Sequence, residues 1–161
     1  MGQRGMNRRD GALPFRGPRA TALLVMEEER GGLQYYCDIL EVFGYRLEVC
    51  RSYQEGVLRL GRDVFDFVLV SQGTPRFEGS CVLKRALELN RSLPVLVVAR
   101  CLDMSCYLEA MQLGAVDYLV EPLTVLEIGR VLENHPPLQN TTASRNKGRK
   151  GENEEITAEA S

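Results

Sequence analysis

Phe65–Gly79 reads FDFVLVSQGTPRFEG. Four apolar residues, Phe67-Val68-Leu69-Val70, run without interruption, and then Ser71 opens a loop that holds Pro75 and ends at Gly79. A short apolar run bounded by turn residues fits a central parallel strand covered on both faces. Leu23-Leu24-Val25-Met26 and Val95-Leu96-Val97-Val98 have the same form. Residues 45–50, YRLEVC, instead alternate, with Tyr45, Leu47 and Val49 set against Arg46, Glu48 and Cys50, which suits a strand nearer an edge. A fifth strand is expected over Val116–Val120.

Helices are expected between these runs. Residues 31–43 end at Gly44, a residue type that closes helices in the left-handed conformation. Residues 53–60 follow Ser52 with Glu55 three positions on, and residues 125–134 follow Thr124 with Glu127 three on. Both are capping-box patterns. Residues 81–89 are expected to be capped by Ser80 and closed by Asn90, and residues 104–113 to start from Asp103 and stop at Gly114. Cys37 keeps step with Leu33 and Leu40 and belongs to the core side of the first helix. Strand and helix thus alternate five times, which implies parallel βαβ units with right-handed crossovers. The expected architecture is α/β, a flavodoxin-like doubly wound (βα)5 fold with a five-stranded parallel sheet in the order 2-1-3-4-5. In such sheets ligands sit beyond the C-terminal strand ends.

This unit occupies residues 21–134 of a 161-residue chain. Residues 1–20 carry Arg4, Arg8, Arg9, Arg16 and Arg19 against Asp10 alone, a net charge of +4, with no apolar periodicity. Residues 135–161 are polar and balanced in charge. Both ends are expected to be disordered, a basic arm and a polar tail. The remaining 114 residues hold a net charge of -6, which argues against a nucleic-acid-binding domain. No apolar run is long enough to span a membrane, and no apolar segment follows the N-terminal arginines as a signal peptide requires. The five cysteines, Cys37, Cys50, Cys81, Cys101 and Cys106, are odd in number and contain no CxxC, which points to a reducing cytoplasm rather than a disulfide framework or a zinc site.

Four stretches together resemble the receiver domains of two-component response regulators. They are Leu23–Glu29 (LLVMEEE), Phe65–Gly79, Pro94–Arg100 (PVLVVAR) and Gly114–Leu123 (GAVDYLVEPL), in the family's order and spacing. The resemblance implies a pocket formed by Glu27, Glu28, Ser71, Ala99 and Glu121, and it implies that the pocket is degenerate. Ser71 stands where the family carries its phosphoacceptor aspartate, Ala99 where it has a hydroxyl, and Glu121 where it has a lysine. An alcohol needs a general base to become a nucleophile, and the sequence offers none at this position. Glu27 and Glu28 stand in for the family's Mg2+-binding aspartates. With one carboxylate missing and longer side chains, they are expected to be weak Mg2+ ligands at most. Tyr118 falls at the family's switch aromatic, and Arg100 is a candidate pocket cation.

These readings lead to an expectation of a phosphorylation-independent interaction module, not an enzyme, without a bound cofactor. Its protein partner is expected on residues 103–134, the face that the family commonly uses, because the tail after 134 is too short for an output domain. Three alternatives remain at this level. One is a working response regulator with unusual chemistry. Another is a redox sensor on Cys101, whose neighbour Arg100 could lower its thiol pKa. The third, a nucleotide-cofactor protein, is disfavoured because the turn Glu27–Gly32 (EEERGG) lacks G-x-G-x-x-G and its carboxylates would repel phosphate.

Overall fold

A computed structural model describes residues 19–27 and 32–137. Nearly all of both expected tails, and Glu28, lie outside the described residues. The elements are β1 (Thr21–Val25), α1 (Gly32–Val42), β2 (Arg46–Cys50), α2 (Tyr53–Arg62), β3 (Phe67–Ser71), α3 (Ser80–Leu89), β4 (Val95–Ala99), α4 (Met104–Leu113), β5 (Asp117–Val120) and α5 (Val125–Asn134). All strands pair in parallel in the order β2-β1-β3-β4-β5. The chain reverses its direction of winding between β1 and β3, which places the switch point there.

The apolar runs are continuous because each strand end feeds two cores. Leu23, Val25, Val68, Val70, Val95 and Val97 face one side, where α2, α3 and α4 cover them with Leu60, Val82, Leu83, Cys106 and Ala110. Leu24, Phe67, Leu69, Leu96 and Val98 face the other, beneath Tyr36, Ile39 and Leu40 of α1 and Ile128, Val131 and Leu132 of α5. Burying each such side chain contributes roughly 1.5–3 kcal/mol before entropy is counted. Cys37 is half-buried against the second core.

Helix ends follow the sequence signals with two departures. Thr124 and Glu127 form both halves of the capping box, and Asp103 accepts from the Cys106 backbone N–H at 3.0 Å. Gly114 closes α4 at φ +105. At α2, Ser52 accepts from the Glu55 N–H, but the Glu55 carboxylate turns to the Arg51 N–H, so only half the box forms. Ser80 does not cap α3 but is its first residue, preceded by Gly79 in a right-handed conformation with no side-chain cap. The loop has already turned there, since the Ser80 N–H bonds the Phe77 carbonyl. A Cβ at Gly79 would collide with the Ser71 backbone oxygen, so the close return of the loop onto β3 requires glycine. The alternation expected of β2 fails at Cys50, which is fully buried while Val49 is exposed. β2 is the edge strand, but α2 covers its Cys50 side, and Arg59 of α2 pairs with Glu48.

Candidate functional site

Five loops meet at the C-terminal edge of the sheet around a cleft of about 280 Å³. Glu27 follows β1, Ser71 ends β3, Ala99 ends β4, Arg100 follows it, and Glu121 follows β5. All five line this cleft, joined by Tyr53, Thr74 and Glu78. Ala99 and Val120 are paired across β4 and β5, which brings Arg100 and Glu121 to neighbouring strand ends. Glu27, Ser71, Ala99, Arg100 and Glu121 therefore converge, whereas Tyr118 is not among the lining residues and Glu28 lies outside the described residues.

Three tyrosines that the strand-end reading did not pair close the polar groups of this region. Tyr53, the first residue of α2, is buried, and its hydroxyl lies 2.9 Å from Ser71 Oγ. Burial raises the Tyr53 phenol, and the Ser71 hydrogen bond acts against that rise. Tyr36 of α1 donates to Glu121 Oε1 at 2.6 Å. Burial, followed by the Glu121 hydrogen bond and charge, pushes the Tyr36 phenol far above its ordinary value. Tyr118 is 5% exposed and points inward, where its hydroxyl donates to Gln72 Oε1. Gln72 is the single buried polar residue among the described residues, and its Nε2 donates to the Thr74 carbonyl at 3.3 Å. The Tyr118 oxygen also accepts from the Asp103 N–H, and Tyr107 of α4 stacks edge-on against the Tyr118 ring at 5.7 Å. Tyr118 thus ties the end of β3 to the start of α4.

The loop from Gln72 to Gly79 is held from within. Glu78 accepts from the Thr74 N–H and hydroxyl at 2.8 and 2.6 Å, and the Thr74 hydroxyl bond holds the Glu78 carboxyl below its usual range. Phe77 anchors the loop in the core. The cleft lining includes Arg100 but not Cys101, which is exposed. Cys106 is buried, and burial pushes its thiol up to about 11, away from thiolate chemistry.

Mg2+ demands near-octahedral oxygen ligands. Ser71 offers a hydroxyl already bonded to Tyr53, Glu121 is engaged by Tyr36, and among the described residues no three acidic, histidine or cysteine side chains converge as a metal set. The described donors therefore offer the ion no complete set, and Glu28, the second expected ligand, lies outside the described residues.

The topology and the strand-end cleft define a doubly wound α/β module of the receiver type. The response regulator receiver domain model matches residues 23–133, and the chain belongs to that family. It is 27% identical over 111 residues to the transcriptional regulatory protein ZraR of Escherichia coli, which covers 69% of this chain and 25% of ZraR. It is 26% identical over 116 residues to the response regulator protein FleR of Pseudomonas aeruginosa, covering 72% and 24% of the two chains. The chain thus spans about a quarter of the length of these relatives. Among solved structures, a CheY-like receiver domain from Methanospirillum hungatei matches with a TM-score of 0.63 at 21% identity, covering 81% of this chain and 99% of that one. The receiver domain of an HD domain-containing protein from Pseudomonas fluorescens gives 0.66 at 22% identity, covering 78% and 99%. These likenesses confirm the fold.

Of the residues in this region, Ser71, Ala99, Glu121, Glu27, Arg100 and Tyr118 were legible from the sequence, whereas Tyr36, Tyr53 and Gln72 were not. The only signal for Tyr53 and Tyr36 was a phenol at a core position of a helix, since a buried tyrosine must find a partner for its hydroxyl.

Proposed function

We propose that this chain is a receiver-like signalling module that binds a protein partner without phosphorylation on aspartate. The observation that carries this reading is Ser71 at the end of β3, its hydroxyl 2.9 Å from the Tyr53 hydroxyl. The position a phosphoacceptor carboxylate would take carries an alcohol engaged by a phenol. Tyr53 supplies no base, because burial keeps its phenol protonated. Ala99 brings no hydroxyl to the cleft, and Glu121 adds negative charge where a transferred phosphoryl group would sit. The inward Tyr118, held by Gln72 and Asp103, supports a domain that rests in one conformation without a phosphoryl trigger.

The output is binding, not catalysis. The partner docks on the face of residues 103–134, and neither nucleic acid, membrane nor nucleotide cofactor is engaged. No helix among the described residues is long and apolar enough to cross a membrane. The five free cysteines suit a reducing cytoplasm. The test is incubation of the full chain with a small phosphodonor and Mg2+, read by intact mass. We expect no mass gain. A gain of one phosphoryl group that hydroxylamine removes contradicts the reading.

A further inference from the structure

Between α3 and α4 runs an open groove of about 680 Å³, lined by Lys84, Leu87, Glu88, Arg91, Leu113 and Gly114. The strands are parallel, so each helix runs back across the sheet and ends at the edge where the strands begin, opposite the cleft. Leu87 and Glu88 lie in the last turn of α3, Arg91 just after it, and Leu113 and Gly114 close α4. Leu87 and Leu113 are half-buried against the core and form an apolar floor. Gly114 keeps that floor open, since a Cβ there would stand 3.2 Å from Leu87 Cδ1. The acids in and beside the groove already meet cations of this chain: Arg85 lies 3.6 Å from Glu88, and Lys84 3.6 Å from Glu109. Arg91 is exposed and makes no ion pair among the described residues. The groove therefore offers an apolar floor and one cation in excess.

The chain leaves the domain at the same edge. α5 ends at Asn134, and the described residues stop at Pro137. Beyond them the sequence changes sign: Arg145, Lys147, Arg149 and Lys150 come first, and then Glu152, Glu154, Glu155 and Glu159 with no cation among residues 152–159. Ile156, inside the acidic segment, is the single large apolar residue after Leu138. α5 packs on the other side of the sheet from α3 and α4, so a return to the groove must pass around the sheet edge. That crossing is roughly 20 Å, two packing distances of about 10 Å each. Residues 138–151 reach roughly 46–50 Å when extended, which is ample. Asp117, the first residue of β5, and Glu133, in the last turn of α5, stand at this edge. The basic stretch would cross acidic ground before the acidic stretch meets Arg91. The N-terminal arm, with its net charge of +4, has the wrong sign for this groove.

We propose that the acidic segment 152–159 of this same chain docks in the α3–α4 groove, with Ile156 on the floor of Leu87 and Leu113 and its glutamates on Arg91. An exposed ion pair is weak by itself. A segment tethered to the domain, however, acts at an effective concentration in the millimolar range, so weak contacts suffice to hold it. Docking covers the apolar floor and gives Arg91 a partner. It also occupies a surface that an acidic segment of another protein would otherwise take. The apolar contact sets how long the segment stays, and the charge makes it sensitive to salt. The groove lies at the opposite end of the sheet from Ser71 and shares no lining residue with the cleft.

The test is a set of amide spectra of the full chain. Glu152→Gln, Glu154→Gln and Glu155→Gln combined should move the amides of Lys84–Arg91, Leu113 and Gly114 and leave those around Arg51, at the other end of the sheet, in place. Ile156→Ser should move the same amides in the same direction. These substitutions touch no described residue, so the fold is kept. Raising salt from about 0.05 to about 0.5 M should remove at least about half of the difference between wild type and the glutamine variant. In the reverse direction, Arg91→Glu should move the amides of residues 152–159, whereas Arg51→Glu, an equal change of charge, should not. Groove amides unmoved by the tail substitutions would overturn the proposal. Equal effects of Arg91→Glu and Arg51→Glu would reduce the contact to unspecific charge attraction and overturn it too. Groove shifts that fade on dilution would assign the groove to the tail of a second copy, which also overturns it. None of these outcomes depends on phosphorylation, so the mass experiment on the cleft stands or fails separately.

Discussion

The strand-end cleft and the outer side of α4 lie on the same small domain and are built in opposite ways. In the cleft region, polar groups answer one another: Ser71 meets Tyr53, Glu121 meets Tyr36, Gln72 meets Tyr118, and Glu78 meets Thr74. On α4, large apolar side chains stand in solvent with no counterpart on this chain among the described contacts. Satisfied hydrogen bonds leave little to gain from a new ligand, whereas exposed apolar surface gains by being covered. Under the proposed reading, the cleft has lost its chemistry while the exposed apolar side of α4 is left for other contacts.

The largest effect should come from putting charge back into the cleft. Ser71→Asp adds a carboxylate to a space that Glu27, Glu78 and Glu121 already line. Like charges about 5 Å apart cost roughly 3 kcal/mol at an effective dielectric of 20. Denaturant melts should show a loss of up to that size, partly regained in Ser71→Asp with Glu121→Gln, which removes a charge and keeps an acceptor for Tyr36. Equal stability of the single and double variants would rule out repulsion by Glu121 as the cause.

Next is the Tyr118–Gln72 pair. Gln72→Leu leaves a buried phenol short of an acceptor, which costs about 1–3 kcal/mol. Adding Tyr118→Phe replaces both partners by apolar groups and should recover most of the loss. Additive losses in that cycle would show that the two residues act independently.

The smallest effect concerns the α5 cap. Hydrogen bonds from the Thr124 backbone N–H, and then its hydroxyl, hold the Glu127 carboxyl below the ordinary value. A folded-state pKa lower than the unfolded one gives stability that is present above about pH 4.3 and is lost as pH falls through the folded value. The stability difference between the wild type and Glu127→Gln should therefore be small at pH 7 and vanish in more acidic solution. A difference unchanged down to pH ~3 would contradict the cap's role.

The sheet was legible because central parallel strands must be apolar on both sides, and Phe67–Val70 and Val95–Val98 obey that demand without exception. The order of strands came from the fivefold alternation of strand and helix, whose common solution is the doubly wound 2-1-3-4-5 sheet. Cys50 was misread because alternation reports one covered face, and α2 covers the second face of that edge strand. Ser71, Ala99 and Glu121 could be found because strand ends converge by topology alone. Tyr36, Tyr53 and Gln72 could not, since their partners lie 85, 18 and 46 residues away along the chain. A phenol on a helix reads equally as core filling until its hydroxyl is located in space.

We propose that the domain already rests in its output conformation and that its cleft does not respond to a phosphoryl group. The direct measurement is a set of amide spectra of the full chain with Mg2+, before and after adding beryllofluoride, a mimic of a carboxylate-bound phosphoryl group. No shift is expected at Gln72, Asp103, Tyr118 or along α4. Shifts that begin at Ser71 and spread through Tyr118 to Met104–Leu113 would contradict it.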